Sequence, residues 1–211
     1  MVGRGAAVGA DVTRPSLAWF IAVRPMTDEE LVSRTLAGDP DAYARLVDRH
    51  YDRCARFAYR MLGTREDAED AVQETFLRAY RALARYETRD AFARWLTSIL
   101  VNQCRTLGAR RARLARRFVR DDDALARAEA PRWPEGDRPP LDDALQRALE
   151  RLEPLLREAF LLKHVEDMSY EQMEQVTGAG RSALKMRVKR ACDALRACDA
   201  LRAALEVREL A

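Results

Sequence analysis

The sequence predicts an all-α protein made of two small helical domains joined by a flexible linker, and three observations carry that expectation. From Thr27 onward apolar residues recur every three to four positions, the period of one buried helix face. No stretch alternates with the period of two that a half-buried strand would show. Residues 131–140, Pro-Arg-Trp-Pro-Glu-Gly-Asp-Arg-Pro-Pro, hold four prolines, which no regular helix tolerates, and they divide the chain.

Residues 1–26 come first. The apolar run Leu17–Val23 is cut by Arg24-Pro25, falls well short of the roughly 20 residues a membrane helix needs, and lacks a small-residue cleavage site. It is expected to be a disordered N-terminal extension, or sequence ahead of a natural start at Met26. Thr27 then offers a helix cap and Glu30 the reciprocal partner of a capping box. Asp39-Pro40 opens a long helix with Tyr43, Leu46, Val47, His50, Cys54, Phe57 and Met61 on one face. After Gly63, Thr64 caps a second long helix that turns Ala68, Ala71, Val72, Thr75, Ala79 and Leu83 inward. A third opens near Asp90 and buries Phe92, Trp95, Leu96 and Ile99. These segments form the first domain, residues 27–113, an all-helical bundle with short connections.

The linker is expected over 114–140. The second domain, 141–205, should hold four helical segments: one with Leu145, Leu149 and Leu152, one from Leu155 to His164, a short one behind the capping box Ser169-Tyr-Glu-Gln172, and a long final one after Thr177-Gly-Ala-Gly180. The last of these carries Leu184, Val188, Ala191, Leu195 and Cys198 inward. It ends in a direct duplication, Ala191–Arg196 and Ala197–Arg202, expected to stay helical although six residues do not match the helical period.

Of the 211 residues 48% are hydrophobic and 34% charged, and the signs nearly cancel at +3, so the placement of charge matters more than its sum. Seven arginines and no acid lie between Arg105 and Arg120, and no acid lies from 181 to 192. An acid-free arginine run at a helix end beside a domain boundary fits a polyanion partner. The near absence of lysine, found only at 163, 185 and 189, fits a compositional bias better than a functional need. Cys54, Cys104, Cys192 and Cys198 are read as reduced and mostly buried, which suits a cytoplasmic protein. His50 and Cys54 share a helix face but have no further ligand near them, so the pair is read as core and no metal is expected.

Short capped helix, glycine turn and longer basic helix is the helix-turn-helix arrangement, whose second helix enters the major groove. Arg181, Ser182, Lys185, Arg187, Lys189 and Arg190 would supply its polar and phosphate contacts. With two histidines, no phosphate-cradling glycine loop and no paired Cys or His motif, the chain offers no catalytic constellation, cofactor site or small-molecule substrate site.

These segments add up to a family. Asp67-Ala-Glu-Asp-Ala-Val-Gln-Glu-Thr-Phe-Leu-Arg-Ala-Tyr80 resembles the polymerase-binding helix of bacterial RNA polymerase sigma factors of the sigma-70 family, extracytoplasmic-function branch. Phe92-Ala-Arg-Trp-Leu96, Asn102 and the Arg110-Arg111-Ala-Arg113 cluster resemble their promoter-melting, minus-10-reading helix. Leu161-Leu162, Asp167–Gln172 and Lys185-x-Arg187-x-x-Arg190-Ala191 resemble their minus-35-reading domain. The likeness covers about residues 27–200.

The resemblance implies sigma region 2 as the first bundle and sigma region 4 as the second. It implies core RNA polymerase and promoter DNA as partners, and it admits an anti-sigma protein as a third. Asp67, Asp70, Gln73, Glu74 and Arg78 would dock on polymerase. Arg85, Tyr86 and Arg89, in the loop from Arg85 to Asp90, would capture a flipped minus-10 base, and Asn102, Arg105, Arg110 and Arg111 would hold the strands. Trp95 reads better as core. The chain departs from the family pattern in three places. Glu174 stands where a small residue is usual, Ala183-Leu184-Lys185-Met186 replaces a more polar start to the recognition helix, and Pro154 comes one position late.

Two other classes stay open at this point: a helix-turn-helix regulator that does not serve polymerase, and a helical interaction protein with no nucleic-acid role. The motif at 67–80 argues against the first, and the acid-free basic segments argue against the second.

Overall fold

A computed structural model describes residues 26–87, 91–118, 140–199 and 201, and the described residues are helices and their connections. The helices are α1 (Asp28–Leu36), α2 (Pro40–Leu62), α3 (Arg65–Ala82), a 3-10 turn (Leu83–Arg85), α4 (Phe92–Phe118), α5 (Pro140–Glu150), α6 (Pro154–His164), α7 (Tyr170–Thr177) and α8 (Arg181–Arg196).

Local chemistry sets most of the boundaries. At α1 the Thr27 N–H donates to Glu30 Oε2 at 2.8 Å while the Thr27 hydroxyl oxygen accepts from the Glu30 N–H, so both ends of the capping box close. Asp39 accepts from the N–H groups of Asp41 and Ala42 ahead of Pro40, whose missing N–H costs nothing in the first turn. Gly63 ends α2 at φ +84°, a left-handed conformation in which a side chain would be strained. Thr64 precedes α3 as expected, but its hydroxyl donates to the Asp67 carboxylate at 2.8 Å instead of accepting a backbone N–H.

The first bundle packs α2, α3 and α4 together, with α1 laid on α2. Leu31, Leu46, Phe57, Leu83, Phe92, Leu96 and Leu100 are fully buried in it, each contributing about 1.5–3 kcal/mol through apolar burial. The Tyr43 hydroxyl crosses the bundle to donate to the Phe76 carbonyl at 2.5 Å. Burial pushes its pKa up to about 12. His50 is buried on the same stripe, bonded to Asp28 at 2.8 Å and tilted against Phe92, which is the core role expected of it. Trp95 packs half-buried in an aromatic cluster with Tyr86 and Phe92.

The second bundle packs α6 and α7 on α8 around Leu161, Leu162, Met173 and Leu184. Ser169 and Gln172 close the capping box of α7, and Gly178, at φ +71°, ends it. Two boundaries differ from expectation. Helix α4 runs on to Phe118, because the arginine-rich stretch past 113 contains good helix formers and no breaker. Helix α8 stops at Arg196, and Ala197-Cys198 turns, so the second copy of the duplication does not extend it. The copy begins off-phase with the apolar stripe, and Cys198 is only half-buried.

The bundles meet along a seam. Helix α7 lies against α4, while α5 and α6 lie against α2. Arg157 on α6 reaches across to the Met61 carbonyl at 2.6 Å and also donates to the Glu150 carbonyl on its own side.

Candidate functional site

Helix α3 turns Ala68, Ala71, Val72, Thr75, Phe76 and Ala79 into the core, which leaves the opposite face to solvent. That face carries exposed Asp70, Gln73, Leu77, Arg78 and Tyr80, with Leu77 at 45% and Tyr80 at 54% exposure. Glu74 accepts from Arg78 at 2.6 Å one turn on. Exposed acids, an amide and two large apolar side chains on one helix face make a surface fitted to a protein partner.

Helix α4 displays a second strip. Asn102, Thr106, Ala109, Arg110 and Arg113 are exposed at successive turns, and the Thr106 hydroxyl donates to the Asn102 carbonyl. Arg111 donates to Asp67 at 3.0 Å, so a residue expected on DNA and one expected on polymerase are brought together between α4 and α3. Arg85 is exposed at the end of the 3-10 turn. Tyr86 is half-buried, its hydroxyl accepting from the Ala91 N–H at 3.3 Å while its ring packs on Phe92 and Trp95. Arg89 lies outside the described residues.

Helix α8 anchors itself with Leu184, Val188, Ala191 and Leu195 and presents Arg181, Ser182, Lys185, Met186, Lys189 and Arg190 outward, with Arg187 half-buried. Met186 is 50% exposed in the middle of this polar face. Glu174 points outward, as its charge demands, and forms an ion pair with Arg181 at 3.0 Å. Lys185 sits over the Tyr170 ring at 5.7 Å. The second bundle is therefore a formed helix-turn-helix whose basic face is uncovered by the rest of the described chain.

Arg105 behaves differently from the other residues expected on DNA. Its guanidinium grips Glu158 of α6 with two hydrogen bonds of 2.7 Å, and its third nitrogen lies 3.5 Å from the Thr177 carbonyl. Glu158 is only 1% exposed. Its hydrogen bonds hold the Arg105 pKa above its usual value. A second such pair joins Arg53 on α2 to Glu166 just past α6, with Thr97 beside it. Sequence reasoning missed Arg53, Arg157, Glu158 and Glu166. One signal was present: Glu158 falls three and four residues before Leu161 and Leu162, an acid inside an apolar stripe.

No helix among the described residues is long and apolar enough to cross a membrane, and none of their His, Cys, Asp and Glu side chains cluster as a metal site would need.

Against this geometry the sequence comparisons are specific. The family described as Sigma-70 region 2 matches residues 46–114, and Sigma-70, region 4 matches residues 142–195. The ECF RNA polymerase sigma factor SigE of Mycolicibacterium smegmatis is 34% identical over 151 residues, covering 71% of this chain and 58% of its own length. The RNA polymerase sigma factor CarQ of Myxococcus xanthus is 33% identical over 158 residues, 75% of this chain and 89% of CarQ. Among solved structures, CnrH in complex with the cytosolic domain of CnrY matches with a TM-score of 0.58 at 26% identity, covering 81% of this chain and 95% of that one.

Proposed function

The chain belongs to the sigma-70 family of RNA polymerase initiation factors, in its extracytoplasmic-function branch, and from that premise we propose that it binds core RNA polymerase and directs initiation at promoters by reading minus-10 and minus-35 elements. Its family consists of initiation factors, and the reading extends to this chain as a DNA- and polymerase-binding subunit without catalysis of its own.

The observation that carries the reading is the outward face of α3, where Asp70, Gln73, Leu77 and Tyr80 are held exposed by a helix whose other face is locked into the core. A rigid acidic and amide surface with apolar side chains at its centre suits docking on a basic partner surface, with charge steering the approach and Leu77 and Tyr80 supplying buried area. Asp67, Glu74 and Arg78 border it.

The α4 strip suits a single strand. Arg110 and Arg111 offer phosphate contacts, and Asn102, with a donor and an acceptor on one amide, can read a base edge. Arg85, Tyr86 and Arg89 belong to the segment that would hold a flipped base, whose unstacking costs a few kcal/mol. On α8 the first turns point Ser182 and Lys185 at the groove, with Arg187, Lys189 and Arg190 on phosphate. Exposed Met186 adds an apolar contact of the kind that a thymine methyl accepts. The pairing of CnrH with the cytosolic domain of CnrY supports a protein partner for this chain as well, a place that the expected anti-sigma protein would fill.

Co-elution of the purified chain with core polymerase on gel filtration tests the reading. A stoichiometric complex that protects a promoter fragment is expected. A chain that stays folded yet elutes apart from core enzyme would overturn it.

A further inference from the structure

Helix α4 turns Leu100, Val101 and Cys104 into the first bundle, each at most 1% exposed. A polar residue stands among them. Gln103, 6% exposed, carries an amide into the interface between α4 and α3. A buried amide costs free energy unless its groups find partners, and a leucine or methionine would fill the same space without that cost. Packing alone therefore does not account for a glutamine here.

Its partner lies on the docking helix. Oriented by the groups around it, the Gln103 amide turns its oxygen to the Arg78 guanidinium of α3 and accepts from Nε at 2.9 Å and from Nη1 at 3.2 Å. Arg78 Nε also donates to Glu74 Oε1 at 2.6 Å, one turn back on the same helix. A fixed oxygen beneath and a carboxylate beside it hold one edge of the planar fork. That leaves Nη2, which makes no hydrogen bond among the described residues, to meet a partner. The Arg78 side chain is 55% exposed, so the guanidinium is gripped from below and presented to solvent beside Gln73, Leu77 and Tyr80.

Another link from α4 to α3, Arg111 to Asp67 at 3.0 Å, joins partly exposed groups, and such pairs contribute little. The Gln103 contact differs because its acceptor is shielded from water. An exposed arginine samples many rotamers, and a docking interface must freeze the one it uses. Freezing a rotamer-rich side chain on binding weakens association by up to about tenfold. A side chain already held in place avoids that loss.

We propose that Gln103 is a positioning residue for polymerase docking: its buried amide oxygen holds the Arg78 guanidinium, and through it Glu74, in the conformation that meets an acceptor group on core polymerase. The proposal rests on the polymerase-docking reading of α3 and adds to it a residue too deeply buried to reach the partner itself.

Two near-isosteric replacements separate holding from packing. Gln103→Met keeps the length of the side chain and removes the acceptor, whereas Gln103→Glu keeps the acceptor. Each is made alone and with Arg78→Ala; Tm is measured, and affinity for labelled core polymerase is read by fluorescence anisotropy. Gln103→Met should hold or raise Tm, because the exposed guanidinium is rehydrated and an apolar side chain suits the site. It should nevertheless bind core polymerase about tenfold more weakly. Gln103→Glu should bind within about threefold of wild type. In the Arg78→Ala background Gln103→Met should change affinity by less than about twofold, since the two residues act as one unit. A readout without polymerase accompanies these. The Arg78 Nε–Hε NMR resonance, assigned by its disappearance in Arg78→Ala, should exchange with water at least about threefold faster in Gln103→Met than in wild type or Gln103→Glu. Gln103→Leu supplies the same comparisons if Gln103→Met loses helicity. Wild-type affinity in Gln103→Met, an equal tenfold loss in the Arg78→Ala background, or a resonance unmoved by the substitution would overturn the proposal. A folded wild-type chain that does not bind core polymerase would remove the docking reading and the positioning role with it, while the resonance would still decide whether Gln103 holds Arg78 in the free chain.

Discussion

Replacing Asp70 with arginine separates docking from folding more cleanly than any other single change. Asp70 is exposed on α3 and, among the described residues, forms no ion pair. Its neighbours one turn away on either side are Glu66 and Glu74. An arginine there would gain two opposite charges at i−4 and i+4, each contributing about 0.2–0.5 kcal/mol to the helix. The fold should therefore be unharmed, with Tm unchanged or raised by about 1–2 °C. At the docking surface the same change turns an attraction into a repulsion. Close charge pairs across interfaces are coupled by about 1.5–7 kcal/mol, and an exposed residue belongs near the low end. A loss of about 3 kcal/mol corresponds to roughly 100-fold weaker binding to core polymerase. Asp70→Asn, which removes charge without reversing it, should fall between. Fluorescence anisotropy against labelled core enzyme measures the affinities, and the gap between Asp70→Arg and wild type should narrow as salt rises and the screening length shortens. Binding within about threefold of wild type, well under 1.4 kcal/mol, or a loss accompanied by a clear fall in Tm, would refute the assignment of this face.

Other consequences are as direct. Arg110→Ala should reduce the slope of log affinity for promoter DNA against log salt by about one, whereas Arg111→Ala should do so less because Arg111 already neutralises Asp67; equal slopes for both would show that the Asp67 contact does not persist on DNA. Replacing both acids beside Arg181, Glu171→Ala with Glu174→Ala, should free it from pairings of 3.8 and 3.0 Å and steepen the salt slope of minus-35 DNA binding by roughly one, so an unchanged slope would mean that Arg181 never reaches phosphate. Burial pushes the Cys54 and Cys104 thiols up to about 12. A thiol reagent at pH 8 should therefore modify only Cys192 and Cys198 in the native chain, and all four cysteines after unfolding. The same shift fixes a pH dependence. Above pH 9 the unfolded thiols lose protons that the folded ones keep, so stability should fall between pH 9 and about 12. Denaturant midpoints that stay level from pH 8.5 to 10.5 would contradict it.

The helices were readable because their signals are local. Thr27 with Glu30, Asp39 with Pro40, and Ser169 with Gln172 sit in the caps that their spacing announces. The stripe from Leu46 through Phe57 is buried because heptad-like spacing leaves it no other face. The charge of Glu174 left two options, to point outward or to open the helix packing, and it points outward. What could not be read is how the bundles meet. Arg105 belongs by spacing to a basic, DNA-facing run, yet it turns to Glu158, fifty-three residues on, because the buried carboxylate needs it more than solvent does. No periodicity encodes a pairing between two helices of different domains. The break in α8 after Arg196 was also not legible, since the duplicated hexamer carries no stop signal; the chain turns at Ala197-Cys198, and residues 199 and 201 are helical again with Cys198 and Leu201 packed on the core.

The central claim, that this chain directs initiation, is tested most directly by transcribing fragmented genomic DNA with core polymerase in the presence and absence of the purified chain and sequencing the 5′ ends of the RNA. Initiation sites that appear only with the chain, share a minus-10 and a minus-35 element, and disappear with Asp70→Arg are the predicted result. The same sites with and without the folded chain would contradict it.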